Sequence, residues 1–379
     1  MSVSSSPDPI VAGIDWLPVD LQRQLPLVDV GASHLDSPYA TDAPPRLAGQ
    51  LPADPPSVPV SGAYVSAGTT NTGLNTYARE ELLTGARALL FRLFRQPKRT
   101  DLSELLANIP ANSVSLHCSL RYPGQDPAEL FRDLVHYLRT EGYALNRVRG
   151  SVDFDPLLDW SEPPFPPLIR LLKFVREWMP EFRVLQVNAA GFNNGSERAD
   201  DELALAIAKG VSYLEEIREA GYAPELTYPH LQFALSVGDS IYVDAAKVRA
   251  LRQLWKDVLE KDFGIPSAQP TYVAVHSDIA RMPVNHEEFA DHLAAHYRSA
   301  VLGRADLIFL APANGHEKEA SPEGRAATHA IPQRAPLLLP ATDEQEAALV
   351  GVTSALRAAA ASRYATIRAA GGFGQATTI

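Results

Sequence analysis

Residues 183–214, RVLQVNAAGFNNGSERADDELALAIAKGVSYL, read as a buried strand, a polar Gly/Asn turn and a long helix. Leu203, Ala206, Ile207, Gly210, Val211 and Leu214 fall at i, i+3, i+4, i+7, i+8 and i+11, one apolar face of a 3.6-residue period. Asp200, Asp201 and Glu202 place negative charge in the first turn, where the helix dipole favours it. Burial of Leu203, Ile207, Val211 and Leu214 contributes roughly 1.5–3 kcal/mol each, so this face is packing. Function is therefore expected in the turn, Asn188 to Ser196.

The same unit recurs outward in both directions. Apolar strands are predicted to start at Ala88, Ser113, Asn146, Arg183, Leu231, Thr271 and Ala305, with Ala335 to Leu339 as a candidate eighth. Helices are predicted between them, among them Asn75 to Leu83, Asp101 to Asn108, Ala128 to Glu141, Pro167 to Trp178, Tyr242 to Asp262 and Glu287 to Val301. Strands joined by helices run parallel, and seven or eight in succession favour a closed (β/α)8 TIM-type barrel over an open doubly wound sheet. Neither G-x-G-x-x-G after the first strand nor G-x-x-x-x-G-K-[ST] occurs, so no nucleotide fingerprint supports the open sheet. Gly315 to Pro332 reads as a loop insertion, and Asp343 to Ala370 as an Ala-rich terminal helix. The first 60 residues carry eleven of the 31 prolines, which leaves room for a turn near Trp16 to Gln24 and little else. The expected division is an N-terminal arm over 1–76 and a barrel over 77–379.

The 379 residues are 46% hydrophobic and 21% charged, the balance of a globular chain able to bury a large core. The net charge of -11 argues against nucleic acid or an anionic membrane as the main partner, since both reward clustered Lys and Arg. Cys118 is the single cysteine, so no internal disulfide and no cysteine-based zinc site can form. No run approaches the roughly 20 apolar residues of a membrane span, and a cytoplasmic location is the expectation.

In a barrel of this kind the site lies at the carboxyl ends of the strands. The polar residues there are His117 and Ser119; Ser151, Asp153 and Asp155; Asn188, Asn193 and Asn194; Ser236 and Asp239; His276, Ser277 and Asp278; Asn314 and His316. His276, two residues before Asp278, reads either as a general acid/base or substrate donor or as a satisfied loop residue. Asp153 and Asp155 read either as paired carboxylates or as an ordinary turn before Pro156. Asn193 and Asn194 offer amides beside a helix N-terminus, which suits a carbonyl or phosphate and equally suits a turn. Asn188, Asn193, Asn194 and His276 are the expected substrate-binding residues. No H-E-x-x-H, G-x-S-x-G or clustered His set occurs, and no metal site or catalytic residue is assigned.

Val187 to Ser196 (VNAAGFNNGS), followed by Glu202 to Leu214 (ELALAIAKGVSYL), resembles the barrel of methylmalonyl-CoA mutases, and the small, non-catalytic-type subunit above all. Ala86 to Leu93, Gly150 to Leu157 (GSVDFDPL), Phe174 to Phe182 with Met179-Pro180, and Ala246 to Trp255 (AKVRALRQLW) carry the same likeness, the last nearly letter for letter; it spans about 77 to 310. The family's catalytic chain carries a Tyr-His pair where this chain has Gly191-Phe192-Asn193, and His-x-Gln where this chain has Val275-His276-Ser277-Asp278. Its Asp-x-His-x-x-Gly, which holds adenosylcobalamin in a separate domain, is absent from these residues. The resemblance therefore implies a barrel-only, weak or silent auxiliary subunit of an adenosylcobalamin-dependent acyl-CoA mutase, an isomerase. Such a chain binds no cofactor alone and takes the cobalamin through a partner chain, either a mutase-like catalytic chain or a second copy of itself. The alternatives are an active acyl-CoA mutase barrel using a cobalamin domain on a separate chain, and a stand-alone acyl-CoA binder. In the family the N-terminal region wraps the partner, so the resemblance makes the arm an assembly element.

Overall fold

The computed structural model describes residues 58–65, 73–95, 97–120, 127–159, 165–266, 271–279, 286–312, 321–334 and 343–376. Its strands are β1 (Val60–Val65), β2 (Ala88–Leu93), β3 (Ser115–Leu120), β4 (Gly150–Val152), β5 in two pieces (Phe182–Arg183 and Leu185–Asn188), β6 (Leu231–Val237), β7 (Tyr272–Ser277) and β8 (Leu307–Phe309). All pair in parallel, and each neighbours the next in sequence. The two pieces of β5 close the ring: the first pairs with β4, the second with β6, and β8 returns to β1. Val184 between them donates instead to the His230 carbonyl at 3.2 Å, which interrupts the ladder without opening the barrel. The fold is the (β/α)8 barrel that the alternation predicts.

The helices on the outside are α1 (Leu74–Thr84), α2 (Arg99–Leu105), α3 (Pro127–Thr140), α4 (Phe165–Trp178), α5 (Ala199–Glu219), α6 (Ile241–Phe263), α7 (His286–Gly303) and α8 (Pro322–Arg334). Outward strand residues such as Phe91, Leu116, Phe233 and Val275 join the apolar helix faces in one continuous core, where Trp255 of α6 meets Phe233 of β6 at 5.2 Å. Packing between β6, α5 and α6 is close enough that a Cβ on Gly210 would lie 3.0 Å from the Trp255 ring.

Two expectations require correction. β1 lies inside the stretch assigned to the arm, so the described barrel starts by Val60, and every later strand stands one place further round than its order in the sequence reading. The strand was hidden because it begins directly after Pro59, and V-S-G-A-Y-V has neither a long apolar run nor clean alternation. The segment expected as a loop over 315–332 contains α8. Its first residue, Pro322, is preorganised for a helix start, Ser321 Oγ accepts from Gly324 N at 3.0 Å, and Arg325 pairs with Glu80 of α1 at 2.7 Å. The candidate strand Ala335 to Leu339 and the turn Trp16 to Gln24 lie outside the described residues.

After the barrel, α9 (Asp343–Ala369) crosses the outer faces of α5 and α6, and the single turn α10 (Phe373–Ala376) follows. Arg249–Glu346 (2.5 Å), Arg363–Asp201 (2.8 Å) and Tyr364–Asp262 (3.0 Å) hold α9, and the Phe373 ring reaches Phe192 at 5.8 Å. No helix among the described residues is long and apolar enough to cross a membrane.

Candidate functional site inside the barrel

Alternation along the strands turns every second residue toward the barrel axis. The inner apolar set is small: Tyr64, Ala88, Leu90, Ala274, Leu307 and Phe309. Phe309 of β8 reaches across the lumen to the His117 ring of β3, edge-on at 5.6 Å, and also meets Tyr64 at 5.5 Å and His276 at 5.2 Å. Gly62 of β1 makes room for it, since a Cβ there would stand 2.4 Å from the Phe309 ring. The ring is 2% exposed, so the barrel is filled across its middle.

Around this ring runs a chain of polar groups. Tyr64 OH pairs with His276 Nδ1 at 2.8 Å, and the Arg92 guanidinium lies 4.5 Å over the Tyr64 ring. Gln232 Nε2 donates to Ser151 Oγ at 3.0 Å and to Gln186 Oε1, and Ser151 Oγ lies 2.8 Å from His117 Nδ1. With Ser151 accepting from Gln232, its hydroxyl proton is free to go to Nδ1, which leaves the proton of a neutral His117 on Nε2. Burial, then the charges of Arg183 and His276, push the His117 pKa down to about 3. Burial also lowers that of Arg92, against the pull of Tyr64 and Asp153. Among the described residues, His117 Nε2, Ser119 Oγ, Asn188 Nδ2 and Gln232 Oε1 are buried without a hydrogen-bond partner. All four residues line one cavity of about 480 Å3 with Arg92, Asp153, Gln186 and His276. Unpartnered polar atoms in a buried space are suited to a polar ligand or water.

The four expected substrate-binding residues divide. Asn188 and His276 share this interior cavity, whereas Asn193 does not. Asn193 Nδ2 donates to Asp278 Oδ2 at 2.7 Å, which ties the β5 turn to the loop after β7 at the same end of the barrel. It lines a second, rim cavity of about 540 Å3 with Asp239, Asp244, Asp278 and His296, where His292 Nδ1 approaches Asp239 Oδ1 at 2.7 Å. Asn194 contacts the Phe192 carbonyl at 3.5 Å and serves the turn. Asp153 and Asp155 do not act as a pair. Asp153 faces the lumen and accepts from Leu120 N at 3.2 Å. Asp155 takes Lys209 Nζ at 2.6 Å, Asn188 N at 3.0 Å and the Tyr213 hydroxyl, an internal tie between β4, β5 and α5. Ser277 Oγ accepts from Ala311 N at 3.2 Å. Asn314 and His316 lie outside the described residues.

Tyr64, Arg92, Gln186, Gln232 and Phe309 were missed. Their signal was period-2 position on a strand, which only the true register turns into an inward direction. The described residues contain no group of three metal-ligating side chains.

A (β/α)8 barrel with a plugged, polar interior is the class of protein that fold and site define. The family model for methylmalonyl-CoA mutase matches residues 98–314, more than half of the chain, and the chain belongs to that family. It is 30% identical over 199 residues to the methylmalonyl-CoA mutase small subunit of Porphyromonas gingivalis, covering 49% of this chain and 31% of that protein. Against the small subunit of Streptomyces virginiae it is 29% identical over 150 residues, covering 38% and 24%. The large subunit of Porphyromonas gingivalis is 22% identical over 320 residues, covering 76% of this chain and 42% of that one. The chain thus spans less than half the length of these relatives.

Proposed function

We propose that this barrel is an auxiliary subunit of an adenosylcobalamin-dependent acyl-CoA mutase, without turnover of its own, paired with a mutase-like catalytic chain. The observation that carries the reading is Phe309, whose ring reaches across the lumen to His117 and narrows the axis that a long ligand such as an acyl-CoA would follow. Similarity to both small and large mutase subunits supports a partnered role. The cobalamin, on this reading, is held by the partner. The test is methylmalonyl-CoA isomerisation by the isolated chain with adenosylcobalamin added, and by the chain mixed with a mutase-like chain carrying Asp-x-His-x-x-Gly. Turnover is expected only in the mixture; turnover by the isolated chain overturns the proposal and favours the active-barrel alternative.

A second reading, an acyl-CoA binder, draws on the unpartnered His117, Ser119, Asn188 and Gln232 atoms beside His276. Titration calorimetry with acyl-CoA separates the two, and Asn188→Ala then tests whether bound ligand reaches the interior cavity.

A further inference from the structure

The first turn of α5 carries a carboxyl group that neither the lumen nor the rim contacts account for. Glu202 is 0% exposed, and its Oε2 accepts from Lys247 Nζ of α6 at 3.0 Å. The same ammonium lies 3.1 Å from Asp244 Oδ1 and donates to the Ser236 carbonyl of β6 at 2.8 Å. Lys247 is itself buried, so two carboxyl groups share one ammonium away from water. Among the described residues, Glu202 Oε1 has no hydrogen-bond partner. A charged oxygen is costly to bury without a donor.

The surroundings add negative charge. Asp278, in the loop after β7, repels the Glu202 carboxylate, as Asp244 does. Arg198, just before α5, and Arg363 of α9 pair instead with Asp201, at 3.0 and 2.8 Å. Burial above all raises the Glu202 pKa, from an ordinary 4.5 to about 7; the charge of Lys247 lowers it, and those of Asp244 and Asp278 raise it again. Burial works against the charge on Lys247, yet Glu202 and Asp244 outweigh it and hold its pKa above the ordinary value. The acid, and not the ammonium, is therefore the group that changes charge near neutrality. Its proton belongs on Oε1, since Oε2 already accepts from Lys247.

We propose that Glu202, Lys247, Asp244 and Asp278 form a pH-sensitive lock on the barrel rim, closed while Glu202 Oε1 carries a proton and loosened when that proton leaves. In the closed state the Lys247 charge is left to Asp244. Asp244 Oδ2 accepts from Gly238 N at 2.9 Å in the turn between β6 and α6, and Asp278 Oδ2 accepts from Asn193 Nδ2 of the β5 turn at 2.7 Å. Ionised Glu202 competes for Lys247 and repels both aspartates, the residues that fasten these two turns. Both turns line the rim cavity, so its walls loosen together. Between 4.5 and about 7 the folded chain keeps a proton that the unfolded chain has released. Stability therefore falls as pH rises through that window, a slope opposite in sign to that of a histidine buried neutral.

The experiment follows the carbonyl stretch of a neutral carboxylic acid by infrared difference spectroscopy of the full chain, with Glu202→Gln as the neutral isostere. The expected result is a band at about pH 6 that is gone by about pH 9 and that Glu202→Gln lacks. Hydrogen exchange at Gly238 reads the lock itself, taken as a ratio to the same amide in Glu202→Gln so that the intrinsic pH dependence cancels. That ratio should be about one at about pH 6 and at least about tenfold at about pH 9. Where Glu202→Gln does not fold, Asp244→Asn replaces it: with one negative charge fewer, the midpoint of the band should fall by about one pH unit, which a purely packing role would not move. The proposal is overturned by the lack of a pH-dependent band, by a band that persists in Glu202→Gln, by a midpoint that Asp244→Asn leaves in place, or by a Gly238 ratio that stays flat with pH.

Discussion

Lys209 Nζ of α5 lies 2.6 Å from Asp155 Oδ2 in the loop after β4, with side chains 0% and 1% exposed. The same carboxylate oxygen accepts from Asn188 N at 3.0 Å, so the ion pair also sets where β5 ends and where the Asn188 side chain enters the lumen. Lys209→Met leaves a buried carboxylate facing only neutral donors. The expected loss is about 3–5 kcal/mol, measured by urea unfolding; an unchanged midpoint would show that the tie is dispensable.

Gly62 and Phe309 are matched by shape. Gly62→Ala puts a methyl group 2.4 Å from a ring held by three other rings, and should cost about 1–3 kcal/mol as overpacking. Phe309→Ala alone should cost about 3–5 kcal/mol. In the double variant the two costs should add to less than their sum, because the clash is gone. Strict additivity in thermal unfolding would mean that the ring does not depend on Gly62.

His117 makes stability depend on pH in a defined direction. In the folded chain it stays neutral down to about pH 3, against 6.5 as its ordinary value, because burial dominates. Between those values the unfolded chain binds a proton that the folded chain does not. Stability therefore falls as pH drops from 6.5 toward 3, by at most about 1.4 kcal/mol per pH unit, and the group adds no slope above 6.5. His117→Asn should flatten the curve in that window alone. Equal pH slopes for both proteins would show that His117 protonates without cost.

The arm prediction needs a new boundary. Val60 pairs with Leu307 in β1, so a deletion of 1–60 would cut into the barrel and a deletion of 1–57 spares it. Trp16, Leu17, Leu25, Leu27 and Val28 would lose several kcal/mol of burial if left in water, at roughly 25 cal/mol per Å2. Removing 1–57 is expected to leave the circular dichroism of the barrel intact and to weaken dimerisation, with itself or a mutase-like chain, at least about tenfold, 1.4 kcal/mol. An unchanged dimer constant in analytical ultracentrifugation would assign the arm to its own barrel.

Much of the fold is legible in local pattern. β6, predicted as Leu231 to Val237, has those bounds in the structure, and α9 ends one residue from its predicted limit. The family likeness over Val187 to Leu214 agrees with the matched family model. The site was read less well. Asn193 and Asn194 stood out as polar residues in a glycine turn, yet their side chains bond to Asp278 and to the turn itself, while Gln186 and Gln232 passed as ordinary strand residues.

Helix and strand periods, the parallel alternation and so the barrel class follow from the sequence by itself, because they depend on residues within one or two turns of each other. Which residues face the axis was decided only in the tertiary structure. Phe309 reaches His117 and Gly62 through a ring of pairings that closes only when β8 meets β1. The tie from Asn75 Nδ2 to the carbonyls of Leu105 and Ala107 likewise joins residues 30 and 32 positions apart. A side chain's direction in a strand is set by register, and register belongs to the closed sheet, so no local pattern could have placed these contacts.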